Sequence, residues 1–322
     1  MTPGVTSRAL IDALVRSTGA DDEFAAIRVK AREAIDRFRA TFGEPTMPFD
    51  VDALASLLGI HRSEDAPAHS KDAELVPTGD GRVAMRVNPD HPETRKRFSI
   101  GHEISHTFFP NYQRKKWCRT DARYRSRANP DDLLEMLCDV GAAELVLPAP
   151  WFTEAARAVD SGLGLAELAK TYVVSREATL RRFAETHQDA AAAIFLSWKL
   201  KPTQERTLGN RNQRALFGMD GAEVARRARR LRLDYSIPSA SFTAAGCYLP
   251  ADKSVESSGP LYAAASTGQP CEGTCSLDLG PAGGEYNVLA VPLWTSDEDL
   301  GPNGENAVGA IIMPLRPRAS KR

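Results

Sequence analysis

The pattern of apolar and polar positions divides the chain into a mainly helical first half and a more strand-like remainder. The first twenty residues mix Arg8, Asp12 and Arg16 into apolar positions and read as a loosely ordered tail or a peripheral helix. From Asp21 onward, Phe24, Ile27, Ala31, Ile35 and Phe38 recur at helical spacing, with Asp21 and Asp22 as capping candidates. Phe49 to Leu58 predicts a short second helix, opened by Asp50 and closed by Gly59. Short strands follow around Ile60, Glu74–Val76 and Arg82–Val87, the last two separated by the turn Thr78-Gly79-Asp80-Gly81. Helices are then expected over Phe98–Phe109 and Asp131–Leu147. Asn129 and Pro130 supply a cap and a first turn for the latter, and Pro148 and Pro150 stop it.

Leu165–Tyr172 and Ser175–Thr186 predict a helix–turn–helix-like pair. Past Asp189 the texture changes. Ala193–Trp198 reads as a strand, Ala222–Leu233 as a basic helix, Phe242–Tyr248 as a strand and Leu261–Ala265 as a helix. Tyr286–Trp294 and Ala307–Leu315 are Val-, Leu- and Ile-rich strands. The expected fold class is α+β, with a tail over 1–20, a mainly helical domain with a small sheet over 21–160, the helical pair over 161–189 and an α/β domain over 190–322.

Composition narrows the function classes. With 322 residues, 42% of them apolar, the chain can build two cores. A net charge of −1 leaves no global field for nucleic acid or a membrane surface, so a charged partner must be met locally. No apolar run approaches the roughly 18–20 residues of a membrane span, and no secretory apolar segment opens the chain. Five unevenly spaced cysteines do not make a disulfide framework, and a reducing cytoplasm is the expected compartment.

The chemistry concentrates at His102-Glu103-Ile104-Ser105-His106. Two histidines four apart on a helix project their imidazoles from one face, the spacing at which they can share a tetrahedral zinc. Glu103, beside the first histidine, can act as general base on water rather than as a ligand. Apolar Phe98, Ile100, Ile104, Phe108 and Phe109 bury this helix, and buried histidines and a glutamate need a partner. With no histidine between His106 and His187, the third ligand is expected to be an acid on the helix after Pro130. Glu135, Asp139, Ala142 and Ala143 form one stripe there. Glu135 is read as the ligand and Asp139 as acceptor of a ligand-histidine N–H. The alternative makes Asp139 the ligand and Glu135 a solvated acid.

The segment Asn111–Arg127 carries Arg114, Lys115, Lys116, Arg119 and Arg123 with Tyr112, Trp117 and Tyr124 interleaved. Basic residues among aromatics suit single-stranded nucleic acid or an acidic protein substrate; a solvated loop offsetting the acidic helix after it is the alternative. Tyr124 is a candidate donor to a developing oxyanion. Cys118 is a candidate fourth metal ligand that would hold the site off, with single-stranded DNA as a candidate activator. Cys271-Glu-Gly-Thr-Cys275 lacks metal-binding neighbours and reads as a loop with two thiols.

Three stretches taken together carry a family resemblance. They are Arg82 to Asn88, Arg97-Phe98 through His106, and Glu135-Met-Leu-Cys-Asp139 through Pro148. In combination they resemble the ImmA/IrrE metallopeptidases over roughly Ala25 to Thr186. That family usually has Asn where this chain has Asp139, and often Ala where it has Gly101. The resemblance implies a zincin-like domain with zinc as cofactor, Glu135 as third ligand and Glu103 as base. It also implies a helix–turn–helix repressor as substrate, whose cleavage relieves silencing in stress, DNA-damage or phage responses. By the same resemblance the helical pair packs on the peptidase as scaffold, and the C-terminal pattern is similar to the GAF-like sensor domains of some relatives. A DNA-binding regulator with a structural or vestigial zinc, and a general digestive peptidase, are the competing classes.

Overall fold

The computed structural model describes residues 6–65, 67, 71–78, 82–110, 112, 117–118, 126–209, 221–278 and 283–315, with backbone alone for 117–118, 206–209 and 221–223. The chain separates into two compact units. One is Met1–Phe152 with Lys170–Ser175, the other Thr153–Ala169 with Arg176–Arg322. Among the described residues no helix is long and apolar enough to cross a membrane.

The first unit opens with α1 (Ser7–Thr18). Thr6 accepts from the Ala9 N–H at its start and Gly19, left-handed at φ 65°, closes it. Leu10, Ile11 and Leu14 are buried against α2 (Glu23–Phe42) and α5 (Pro130–Val146), so of the two readings, tail or peripheral helix, the stretch is a helix. Its charged positions Arg8, Asp12 and Arg16 lie on the outer face of that helix. Asp22 caps α2 through the Ala25 N–H, and α3 (Val51–Leu57) starts on Asp50.

A small sheet follows, in the order β1-β3-β2-β4. β1 (Ile60–Arg62) runs parallel to β3 (Val83–Val87). β2 (Ala73–Pro77) runs antiparallel to β3 on one side and to the two-residue β4 (Trp117–Cys118) on the other. On this sheet rests α4 (Glu93–His106), and α5 lies against α4. Asn129 caps α5 and Pro130 opens it, as the sequence predicts.

In the second unit a five-stranded antiparallel sheet has the order β6-β5-β9-β8-β7. Its strands are β5 (Ala192–Lys199), β6 (Arg230–Pro238), β7 (Cys271–Leu277), β8 (Gly284–Pro292) and β9 (Val308–Pro314). In chain order α5 is followed by α6 (Ala149–Arg157), α7 (Gly162–Tyr172) and α8 (Arg176–Thr186), and then by β5. Further helices are α9 (Pro202–Gly209), α10 (Gly221–Ala228), α11 (Ala240–Ala244) and α12 (Gly259–Thr267).

One sheet face, with Ile194, Leu196, Val288, Ala290, Ala310 and Ile312, packs on Leu261, Ala264 and Ala265 of α12. The other face meets α8: a Cβ on Gly309 would stand 2.3 Å from the Leu180 side chain. Burial on both faces explains why β5, β8 and β9 read as continuous apolar runs rather than alternating ones.

Four expectations are corrected here. The pair expected as one segment over 161–189 is divided, α8 packing on this sheet while Lys170–Ser175, at the end of α7, belongs to the first unit. Periodicity marks an apolar helix face but not which core receives it. The basic run after Ala222 is helical only to Ala228, and Arg230–Pro238 pairs with β5 as an edge strand. Phe242–Tyr248 is not a strand, because Ser239 caps the short helix α11 through the Phe242 N–H. The two-thiol segment Cys271–Leu277 is an edge strand paired to β8, with a half-exposed alternation too polar to stand out.

Candidate metal centre

Local sequence sets the two helices that frame the site. Arg97 near the start of α4 is buried, and its guanidinium donates to the Phe49 carbonyl at 2.7 Å. Burial pulls its pKa below the usual arginine value, although the Glu93, Asp50 and Asp52 carboxylates oppose the shift. At the entrance to α4, the Asn88 side-chain carbonyl accepts from the Asp90 N–H at 3.0 Å and fixes the turn out of β3.

Small residues bring α4 and α5 together. A Cβ on Gly101 would lie 3.2 Å from Ala142 Cα, and one on Gly141 would lie 2.4 Å from Ser105 Oγ. Contacts run in opposite directions along the two helices, Gly101 meeting Ala142 and His106 meeting Glu135 and Cys138. The stripe of small residues on α5 therefore sets the spacing at which side chains from the two helices converge.

The structure brings His102, His106, Glu135 and Asp139 together. His102 Nε2 lies 3.2 Å from Glu135 Oε2, and His106 Nε2 lies 3.7 Å from Glu135 Oε1. On its other side, His102 Nδ1 lies 2.8 Å from Asp139 Oδ1. Both imidazoles and Glu103 are fully buried, and Glu135 nearly so. Burial opposes charge on His102. The Asp139 and Glu135 carboxylates overcome it and raise the imidazole pKa from 6.5 to about 9.

Sequence reasoning missed Cys138. Its sulfur is wholly buried, 3.2 Å from His106 Nδ1. The signal was available, because Glu135, Cys138, Asp139 and Ala142 occupy i, i+3, i+4 and i+7 of one helical face. The side chains of Tyr124, Cys118, Arg114, Lys115, Lys116, Arg119 and Arg123 lie outside the described residues, although the backbone of Cys118 pairs with Glu74.

Two overlapping donor sets exist here. His102, His106 and Cys138 offer three ligand atoms within 4.8 Å of one another. His102, His106 and Glu135 offer two Nε2 atoms facing the two oxygens of one carboxylate. The second set fits a cation better. It leaves both Nδ1 atoms to side chains of α5, and a positive ion would replace the proton that the two carboxylates otherwise draw onto buried His102.

Residues 60–184 match the model of the Peptidase_M78 family, described as the IrrE N-terminal-like domain. The resemblance read from the motifs is thus met over the stretch that holds the two helices. Among solved structures, a Mycobacterium tuberculosis transcriptional regulator is similar to this chain, at 14% identity and a TM-score of 0.46, over 95% of this chain and 94% of that one. No curated protein matches.

Proposed function

We propose that this chain, which carries an IrrE N-terminal-like domain of the Peptidase_M78 family, is a zinc-dependent endopeptidase acting on a transcriptional repressor of the helix–turn–helix class. The observation that carries the reading is the single Glu135 carboxylate facing the Nε2 atoms of both His102 and His106. Nitrogen and oxygen donors in this set are those of catalytic zinc sites built from two histidines and one glutamate.

His102, His106 and Glu135 would hold the ion, and Asp139 orients His102 from behind. When bound, zinc supplies Lewis acidity that acidifies water and polarises a peptide carbonyl. Glu103 takes the proton from the attacking water and passes it to the departing amine nitrogen. Its burial keeps that carboxylate out of bulk solvent. The basic aromatic segment before α5 recruits the substrate or a single-stranded DNA activator, and Cys118 restrains the site until that occurs. The second unit, with its sheet covered by α12 and α8, is the GAF-like sensor that sets when cleavage happens.

The competing reading as a DNA-binding regulator needs free basic side chains on α8. They are engaged instead. Arg176 donates to the Pro292 carbonyl at 2.6 Å, Arg181 bonds Glu177 and the Tyr235 hydroxyl, and Arg182 is buried.

The test incubates zinc-loaded protein with the repressor encoded beside it, with and without single-stranded DNA. One defined cut is expected, and Glu103→Gln should lower its rate by about 10²–10⁴-fold while zinc content stays the same. Regulation that survives Glu103→Gln unchanged would rule the peptidase reading out.

A further inference from the structure

We infer that Cys138 positions His106 at the metal centre, its sulfur accepting the His106 Nδ1–H so that Nε2 stays bare toward Glu135; the inference rests on the metal-centre reading above. The two imidazoles are held by one plan. Each turns Nε2 toward the Glu135 carboxylate and Nδ1 toward a side chain of α5. For His102 that side chain is Asp139, at 2.8 Å, and for His106 it is Cys138, at 3.2 Å. The longer distance to sulfur is what its larger radius requires. Consecutive residues on a helix point about 100° apart, which lets neighbours 138 and 139 reach two histidines that stand one turn apart on α4.

A thiol suits this place for two physical reasons. Cys138 is fully buried where the helices are drawn together at Gly141 and Ser105, so the acceptor must be small. Glu135 and Asp139 already bring two carboxylates to the imidazoles, with Glu103 buried on the same helix as the histidines, and a further buried anion would lack compensation. A neutral sulfur accepts the imidazole proton without adding charge. It also draws less on that proton than a carboxylate does, so His106 is the weaker of the two histidine donors, and the two ligands are unequal by construction.

The sulfur also lies close enough to the imidazoles to be a ligand itself. In that case His106 Nδ1, the atom that faces it, would be its co-donor, and His106 Nε2 would no longer share an ion with Glu135.

The experiment uses the full-length protein, with zinc affinity measured by chelator competition and the electronic spectrum recorded with Co(II) in place of zinc. Wild type is compared with Cys138→Val, which fills the space and accepts nothing, and with Cys138→Ser, which is smaller but accepts. A positioning sulfur predicts about tenfold or greater loss of affinity in Cys138→Val, near-wild-type affinity in Cys138→Ser, and no thiolate-to-cobalt charge-transfer band in wild type. Should Cys138→Val fail to fold, Cys138→Ala gives the same reading. Wild-type affinity in the valine or alanine variant overturns the inference and leaves the sulfur as packing. A charge-transfer band that vanishes in Cys138→Ser overturns it by making the thiolate a ligand. A wild-type chain that takes up neither zinc nor cobalt overturns the metal-centre reading and this inference with it.

Discussion

Gly141 of α5 faces Ser105 of α4 so closely that a Cβ on the glycine would stand 2.4 Å from the serine Oγ and 2.9 Å from its Cβ. This contact fixes the helix spacing that lets α5 side chains meet the α4 histidines. Gly141→Ala is therefore expected to push the helices apart, costing about 1–3 kcal/mol of stability. Zinc affinity falls with it. Adding Ser105→Gly to Gly141→Ala removes the clash and should restore both quantities. A single mutant with unchanged melting and zinc affinity would show that the spacing is set elsewhere.

Glu135 and Asp139 stand one turn apart on α5 and have different expected roles, which substitution separates. Glu135→Gln removes the charge that faces both Nε2 atoms and should reduce zinc affinity by more than about 100-fold. Asp139→Asn keeps an acceptor for the His102 Nδ1–H and should cost less than about tenfold. Chelator competition on the two variants checks the order. A larger loss in Asp139→Asn would instead make Asp139 the ligand, the alternative that the sequence left open.

The ionisation of His102 makes a pH prediction. In the metal-free protein its pKa is raised to about 9, mainly because the Asp139 and Glu135 carboxylates outweigh burial. The folded value lies above the unfolded one, so this proton stabilises the metal-free fold fully below about pH 6.5. That contribution fades as pH rises and is gone above about pH 9. Between those limits an ion taken up at this candidate centre, zinc by the proposal above, would have to displace the proton. Calorimetry in buffers of different ionisation enthalpy should register about one proton released per ion near pH 7.5. Asp139→Asn should shift this release to lower pH, and release that does not depend on pH would contradict the assignment.

Leu180 on α8 fills the space over Gly309 on the sheet of the second unit. Leu180→Ala should destabilise that unit by about 2–5 kcal/mol, read by denaturant unfolding, with zinc affinity at the metal centre unaltered. An equal loss of zinc affinity would show that the helix also supports the first unit.

Much of the first unit was legible because its signals are local. The caps Asp22, Asp50 and Asn129, the spacing of His102 and His106, and the stripe Glu135-Asp139-Ala142 each need only a few consecutive residues and helical geometry. Those features determined where the helices start and which side chains share a face. What they could not supply is partnership between distant segments. Whether Cys138 backs His106, whether α8 covers the second sheet, and whether Arg230–Pro238 and Cys271–Leu277 pair as edge strands are matters of which surfaces meet. Half-exposed edges and helix faces carry weak patterns of their own, and their place is decided by the burial and hydrogen bonding that only the assembled core provides.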